Sequence, residues 1–377
     1  MYPTISHLLN DLLGTNLTLP IATFGFFVAI AFLVGGWILS NELKRKEQEG
    51  LLRSIKTKVL IGEGITKIEI LTSGIGGFLA GFKLIHAFTN YGDLVHDPRE
   101  FILSTQGNLI GGIAIAALSI YIKWMEKSKD KLESPKLKEQ TIHPHQMTSN
   151  MIFIAAISGI LGAILFANLE KGQIFGFNGL TFYGGFILAT ASLMYYANKN
   201  QLKIIHLMDA AAPAVMISYG IGRIGCHMSG DGDWGIVNNN PKPDWMSFLP
   251  DWMWSYNYPN NVLNEGVNIP GCIGDYCNQL PEPVYPTAIY EVIMASLIFL
   301  FLWNIRKGIK IPGVLFFIYL TLNGIERFLI EKIRVNEKYN LLGGITQAEI
   351  ISFSLILIGL LGCFLLVRNN QKIKSQL

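Results

Sequence analysis

Apolar residues along this chain gather into long uncharged runs separated by shorter polar ones. A helix crosses a hydrocarbon core with about 20 mostly apolar residues, and about 17 suffice. Nine runs meet that need: Pro20–Leu39, Ile70–Phe88, Leu109–Trp124, Met151–Leu169, Leu180–Tyr196, Ala210–Ile224, Ala288–Trp303, Val314–Ile330 and Ile350–Val367. Three are short or interrupted by glycine, which makes eight the alternative count. The pattern predicts an all-α fold, a polytopic transmembrane helical bundle of about nine spans.

Composition agrees: of 377 residues 50% are hydrophobic and 15% charged, where a soluble domain has about a quarter charged. A net charge of +3, with no basic block interleaved with aromatics, argues against nucleic acid. The first 18 residues lack a basic stretch before an apolar one and do not read as a cleavable signal peptide. Four cysteines make no disulfide framework, and no Cys/His spacing suggests a metal; no cofactor is expected.

Lys and Arg set the orientation, because they resist transfer across a membrane. They follow the first span (Lys44, Arg45, Lys46, Arg53, Lys56, Lys58) and the third (Lys127, Lys129, Lys131, Lys136, Lys138). They return after the fifth (Lys199, Lys203), the seventh (Arg306, Lys307, Lys310) and the last (Arg368, Lys372, Lys374). Every second loop is basic, which places the N-terminus outside and the C-terminus inside. The Asp231–Tyr285 loop fits an outer position, with Lys242 its only basic residue against seven acids. Lys332, Arg334 and Lys338 break the rule and need another reason to be there.

Three regions follow: N-terminal helices over 1–125 with room for an extra hairpin, a Lys-rich cytoplasmic linker over 126–150, and a membrane core over 151–377. An outer loop interrupts that core at 230–285. Its Trp234, Trp245, Trp252 and Trp254 suit the headgroup level. Its Cys272 and Cys277 would face an oxidising compartment and can pair, whereas Cys226 and Cys363 lie in apolar sequence and read as packing residues. Ser73–Gly77 followed by Asn108–Gly112 is echoed by Ser158–Gly162 followed by Phe182–Gly185. Either a hairpin is duplicated, or glycine-rich spans simply resemble one another.

Four places carry charge or polarity where lipid disfavours it. In Gly222–Gly235 (GRIGCHMSGDGDWG), Tyr219, Arg223 and Cys226 share a helix face, with Asp231 and Asp233 at the same level. An Arg there is either a ligand-gripping group, its fork suited to phosphate, or an interfacial side chain reaching water. In Leu322–Arg334, Asn323, Arg327, Glu331 and Arg334 repeat at helical spacing, with Glu326 off the stripe. Arg327 and Glu331 can pair or hold a headgroup. In Tyr285–Glu291, Pro286 is placed to start a helix that carries Tyr290 and Glu291. In Gly179–Phe186 and Ile205–Pro213, Tyr183 reads as interfacial packing and Asp209 as an acid at a helix N-terminus.

Taken in order, these segments resemble the prolipoprotein diacylglyceryl transferase family, collinearly from about Ser158 to the C-terminus and more weakly in the first span. The family's D-x-x-A-P and GRxGN-x-x-N-G-E elements fall on Asp209 and on Arg223, and HPTQ-x-YE on Tyr290 and Glu291. Its Y-G-x-x-R-F-x-x-E-x-x-R element falls on Arg327, Glu331 and Arg334, and S-F-H-G-G on TFYGG. The chain also departs from the pattern. The family's His becomes Tyr183, its two Asn become Cys226 and Ser229, and its acid is Asp231 or Asp233. The Tyr of the last element is Asn323, and the His and Gln of HPTQ are Tyr285 and Ala288.

The resemblance implies transfer of diacylglyceryl from phosphatidylglycerol to a lipobox cysteine of a prolipoprotein, in a bacterial cytoplasmic (inner) membrane. Catalytic residues would be Arg223, Arg327, Glu331, Tyr183 and Asp231. Phospholipid would meet Arg223, Arg327, Tyr290, Glu291, Ser229 and Asn323. Arg223 and Arg327 would hold the phosphate, while Glu331 and Asp231 orient them; Tyr183, a phenol and so a poor base, would donate a hydrogen bond. The partners implied are phosphatidylglycerol, the lipobox segment and membrane lipids, with no metal. Two rivals stand beside it: a paralogue that binds or moves phospholipid without the chemistry, and a secondary transporter.

Overall fold

The computed structural model describes every residue except 97–100, 103, 130, 133, 174–178, 180, 337, 340–343 and 376–377. Leu180, which opens the fifth expected span, and Asp130 and Glu133 of the expected linker lie outside the described residues, as do the side chains of Lys338 and Lys374. The helices are α1 Ile5–Leu13, α2 Thr23–Gln48, α3 Lys67–Thr89, α4 Tyr91–His96, α5 Leu109–Lys129 and α6 Thr148–Glu170. They continue as α7 Phe182–Lys199, α8 Ile204–Ser229, α9 Thr287–Ile305, α10 Val314–Glu331 and α11 Gln347–Ser375. Three two-stranded ribbons accompany them: β1 Ile55–Ile61 with β2 Lys136–Ile142, β3 Val267–Asn268 with β4 Asn278–Gln279, and β5 Lys338–Tyr339 with β6 Ile345–Thr346.

Among the described residues, seven helices are long and apolar enough to cross a membrane: α2, α3, α5, α6 with its preceding turn, α8, α9 and α11. The chain is an all-α, polytopic membrane-helix bundle. The other two expected spans also fold as helices, α7 and α10, at 18 residues each. Glu326, Arg327 and Glu331 make α10 too charged for that test, and Tyr, Asn and Lys near its C-terminal end dilute α7.

The chain forms two compact units. The smaller comprises Thr4–Ala22 and Lys56–Thr141. A capping box starts α3, Thr66 accepting from the Glu69 amide while the Glu69 carboxylate accepts from the Thr66 amide. Here α3 and α5 touch through glycine: a Cβ on Gly81 would stand 2.4 Å from the Gly111 carbonyl oxygen. Small residues of this kind let backbones approach where lipid offers no hydrophobic drive between helices. The expected linker Glu126–Asn150 is divided among the end of α5, β2, a turn at Pro144–Met147 and the start of α6.

The larger unit comprises Met1–Pro3, Thr23–Ile55 and Ile142–Leu377. In it α6 and α7 use the same device, a Cβ on Gly162 falling 2.3 Å from the Gly184 oxygen. The central helix is α8. Its Ser218 hydroxyl donates to the Ala31 carbonyl of α2 at 2.9 Å, and its Met216 packs with Ala295 and Leu302 of α9 and Leu315 of α10. Asp209 serves a helix N-terminus, but not that of its own helix. Buried within α8, it accepts from the Gly313 and Phe316 amides at 2.8 and 3.1 Å and so caps α10, with Lys46 Nζ 3.6 Å away.

The segment from Gly230 to Tyr285 has its own small core of Trp234, Tyr258, Leu280 and Val284. Cys272 and Cys277 are disulfide-bonded. The tryptophans, expected together at headgroup level, divide: Trp234 is 8% exposed and Trp245 is 71% exposed. The Tyr258 ring lies 5.3 Å from the Trp234 ring at a tilt, which makes that indole a core residue of the loop.

Candidate functional site

At the C-terminal end of α8 the backbone turns through Gly230 and Gly232, both at positive φ, where a side chain would be strained. The next stretch is pinned on two sides. Ile236 donates to the Ile333 carbonyl at 2.8 Å, and Thr287 donates its hydroxyl proton to the Asp233 carbonyl at 2.8 Å. A Cβ on Gly235 would lie 2.5 Å from the Ile333 oxygen, so this close pairing depends on glycine. Asp233 is thereby delivered to the ends of α8, α9 and α10.

Three guanidinium groups meet there around one buried carboxylate. Glu291, in the second turn of α9, is wholly buried. Its Oε2 lies 2.9 Å from Arg223 Nε, and its Oε1 lies 3.3 Å from Arg327 and 3.4 Å from Arg334. Asp233 pairs with both Arg223 and Arg334. Arg327 also reaches Glu331 at 3.2 Å, and Glu331 accepts from Asn336 at 2.5 Å. The Arg223 guanidinium lies 5.1 Å from the centre of the Tyr219 ring, whose hydroxyl is 3.4 Å from Glu326. Three cations thus face the carboxylates of Asp233, Glu291 and Glu331, a balance that makes burial tolerable.

The network brings together Arg223, Arg327, Glu331 and Glu291. Arg334 reaches it by a different route from the expected helical stripe, because α10 ends at Glu331. A bridge between Gly235 and Arg334 carries it in. Asp233, offered as an alternative to Asp231, is the acid that takes two Arg groups. Asp231 sits in the turn with Oδ1 buried and unpartnered, and burial pushes its carboxyl above the usual range. Two of the other expected residues spend their hydroxyl protons on the backbone. Ser229 donates back to the Gly225 carbonyl at 2.8 Å, and Tyr290 donates to the Met253 carbonyl at 2.8 Å. Asn323 lies half-buried on α10, one turn before Arg327, and Tyr183 lies at the N-terminal end of α7, 38% exposed. Glu326 was not expected to matter, yet it is 2% exposed; a Glu three residues after Asn323 in an apolar helix was the available signal.

Ligand atoms of Cys226, Asp231 and Asp233 lie within 4.8 Å of one another. Arg223 already supplies positive charge among them, 3.8 Å from Cys226 Sγ and paired with Asp233. The arrangement therefore suits an anion exchanged among guanidinium groups better than a metal ion.

A family described as prolipoprotein diacylglyceryl transferase matches residues 109–365. Relatives carry the name phosphatidylglycerol–prolipoprotein diacylglyceryl transferase. One from Dehalococcoides mccartyi is 28% identical over 223 residues, 59% of this chain and 74% of the relative. One from Leptospira interrogans is 32% identical over 169 residues, 44% of each chain. One from Vibrio cholerae is 26% identical over 280 residues, 70% of this chain and 89% of the relative. The matched region contains α8, α9 and α10, and with them every charged residue of the network.

Proposed function

Because the chain belongs to the prolipoprotein diacylglyceryl transferase family, we propose that it moves the diacylglyceryl group of phosphatidylglycerol onto the lipobox cysteine of prolipoproteins. The observation that carries this reading is Glu291, wholly buried, holding Arg223, Arg327 and Arg334 on one carboxylate. None of the three is saturated by it, since a guanidinium has five N–H donors. A phosphodiester arriving at the helix ends recruits the spare donors.

In the reaction a thiol sulfur bonds to the glyceryl carbon while the bond from that carbon to the phosphate oxygen breaks. Glycerol phosphate leaves with the electron pair. Arg223 and Arg327 neutralise the charge that grows on the leaving oxygen, and Glu291, Glu331 and Asp233 keep their forks aimed at it. The nucleophile belongs to the substrate, so no catalytic cysteine is needed in this chain. Tyr183 contributes a hydrogen bond from the end of α7, and Asn323, Tyr290 and Ser229 shape the surrounding wall. In the same reading the protein is a multi-pass protein of the bacterial cytoplasmic membrane, with α7 and α10 completing nine spans, the N-terminus outside and the C-terminus inside.

The test is direct. Purified protein is incubated with phosphatidylglycerol and a lipobox peptide, and the thioether product is sought by mass. Arg223→Gln should lower product formation by about two to three orders of magnitude, the usual cost of one preorganised donor. Undiminished transfer by Arg223→Gln would show that the phosphate sits elsewhere. A protein that binds the lipid through Arg223 but makes no product would be a binding or lipid-moving relative.

A further inference from the structure

Transfer to a thiol needs a proton acceptor, because a free thiol, with pKa about 8.5, is only a few per cent ionised at neutral pH. The position where the resemblance puts a histidine is Tyr183, and a phenol is a poor base. One turn from Arg223, however, stands His227. The two are four residues apart on α8, so their side chains rise on the same helix face.

His227 is 8% exposed and Tyr258 is 1% exposed, and the imidazole Nδ1 lies 3.3 Å from the Tyr258 hydroxyl. The rings of Trp252, Tyr258 and Tyr256 surround it at 5.3, 5.6 and 6.1 Å between centroids. A residue serving only to fill this aromatic box would be better apolar, since imidazole brings two polar nitrogens that must be satisfied. The titratable groups facing the His227–Tyr258 pair are Cys226 from α8, Asp231 from the turn, Tyr256 from the outer loop and Tyr290 from α9. The Met1 amine, which donates to the Pro259 carbonyl at 2.7 Å, completes them.

We propose that His227 is the general base of this chain and that Tyr258 is its positioning residue; the proposal rests on the transferase reading. With Nδ1–H donating to the Tyr258 oxygen, the lone pair of Nε2 is left to accept a proton, as in other sites where a hydrogen bond at one ring nitrogen fixes the role of the other. As sulfur bonds to the glyceryl carbon, the S–H proton passes to Nε2. The carbon–oxygen bond breaks, glycerol phosphate departs with the pair, and the imidazolium returns its proton to water.

The assay is thioether formation from phosphatidylglycerol and a lipobox peptide, followed from pH 6.5 to 9.5. His227→Gln should lower kcat about a hundredfold at pH 7 with little change in KM for the lipid. That defect should shrink to a few-fold near pH 9.5, where the substrate thiol ionises without help. Tyr258→Phe should show a smaller loss with the same pH trend. Lipid-induced thermal stabilisation equal to that of the unmodified protein shows that each variant is folded. Full kcat at pH 7 in both His227→Gln and His227→Phe overturns the proposal, and so does a loss that is the same at pH 7 and pH 9.5, which marks a structural role. An unmodified protein that forms no thioether overturns the transferase reading itself, and the base with it.

Discussion

Glu291→Gln separates the two jobs of the buried carboxylate. Three guanidinium groups lie 2.9 to 3.4 Å from it, and it is wholly excluded from solvent. Counting Asp233 and Glu331, three cations face three carboxylates, and the substitution leaves the three guanidinium groups sharing two. Removing one member of a buried ion pair costs about 3–5 kcal/mol. For a larger domain about 2–4 °C is lost per kcal/mol, so the melting temperature should fall by roughly 10 °C. An anionic headgroup supplies the missing charge. Phosphatidylglycerol should therefore raise the melting temperature of Glu291→Gln by more than it raises that of the unmodified protein, while zwitterionic phosphatidylethanolamine should not. Turnover should nevertheless fall, because the forks are no longer held in place. The measurement is thermal unfolding in detergent with each lipid in turn. Equal melting temperatures without lipid, or equal stabilisation by both lipids, would refute the assignment of Glu291 as the counter-charge of an anion site.

Three further outcomes follow from other parts of the structure. Arg223→Lys should recover little of the activity lost in Arg223→Gln, measured as thioether product, because an ammonium keeps the charge but not the fork that contacts Glu291 and Asp233. Burial raises the Asp231 carboxyl above its ordinary pKa of about 3.9, so the folded state holds that proton more tightly than the unfolded one. Its contribution to stability is then present below pH 4 and lost as pH rises through the raised value; Asp231→Asn should melt higher than the unmodified protein at pH 7, with the gap closing towards pH 4. Thiol labelling of denatured, unreduced protein followed by mass measurement should add two adducts, at Cys226 and Cys363, and four after reduction.

Much of the fold could be read from apolar run lengths, because in lipid the backbone must satisfy itself within each helix. The two spans that fall short of that reading, α7 and α10, are the ones where polar residues have entered the run, and in α10 these residues belong to the charge network. Arg223, Arg327, Glu291 and Glu331 were legible because lipid makes isolated charges expensive, so each charge implied a partner. Their partners were less legible. Asp233 and Arg334 arrive through a bridge between Gly235 and Arg334, a contact across 99 positions that no local spacing encodes. Asp209 shows the same limit: the residue type announced a helix cap, but only the tertiary structure says which helix is capped. His227 carried no such signal: its spacing places it one turn from Arg223, but only the tertiary structure shows the aromatic box around it.

The cap that Asp209 provides has a consequence for the opposite end of α10. Eighteen residues at 1.5 Å each make this helix about 27 Å long, with Gly313 and Phe316 fastened to Asp209 near one end and Arg327 and Glu331 near the other. A helix turns about 100° per residue, so a slip of one position at the capped end would swing Arg327 about a quarter of a turn away from Glu291. The cap therefore sets rotational phase as well as closing a helix end. It acts as an index pin: two amides held by one carboxylate fix the azimuth at which a guanidinium emerges about three to four turns further along.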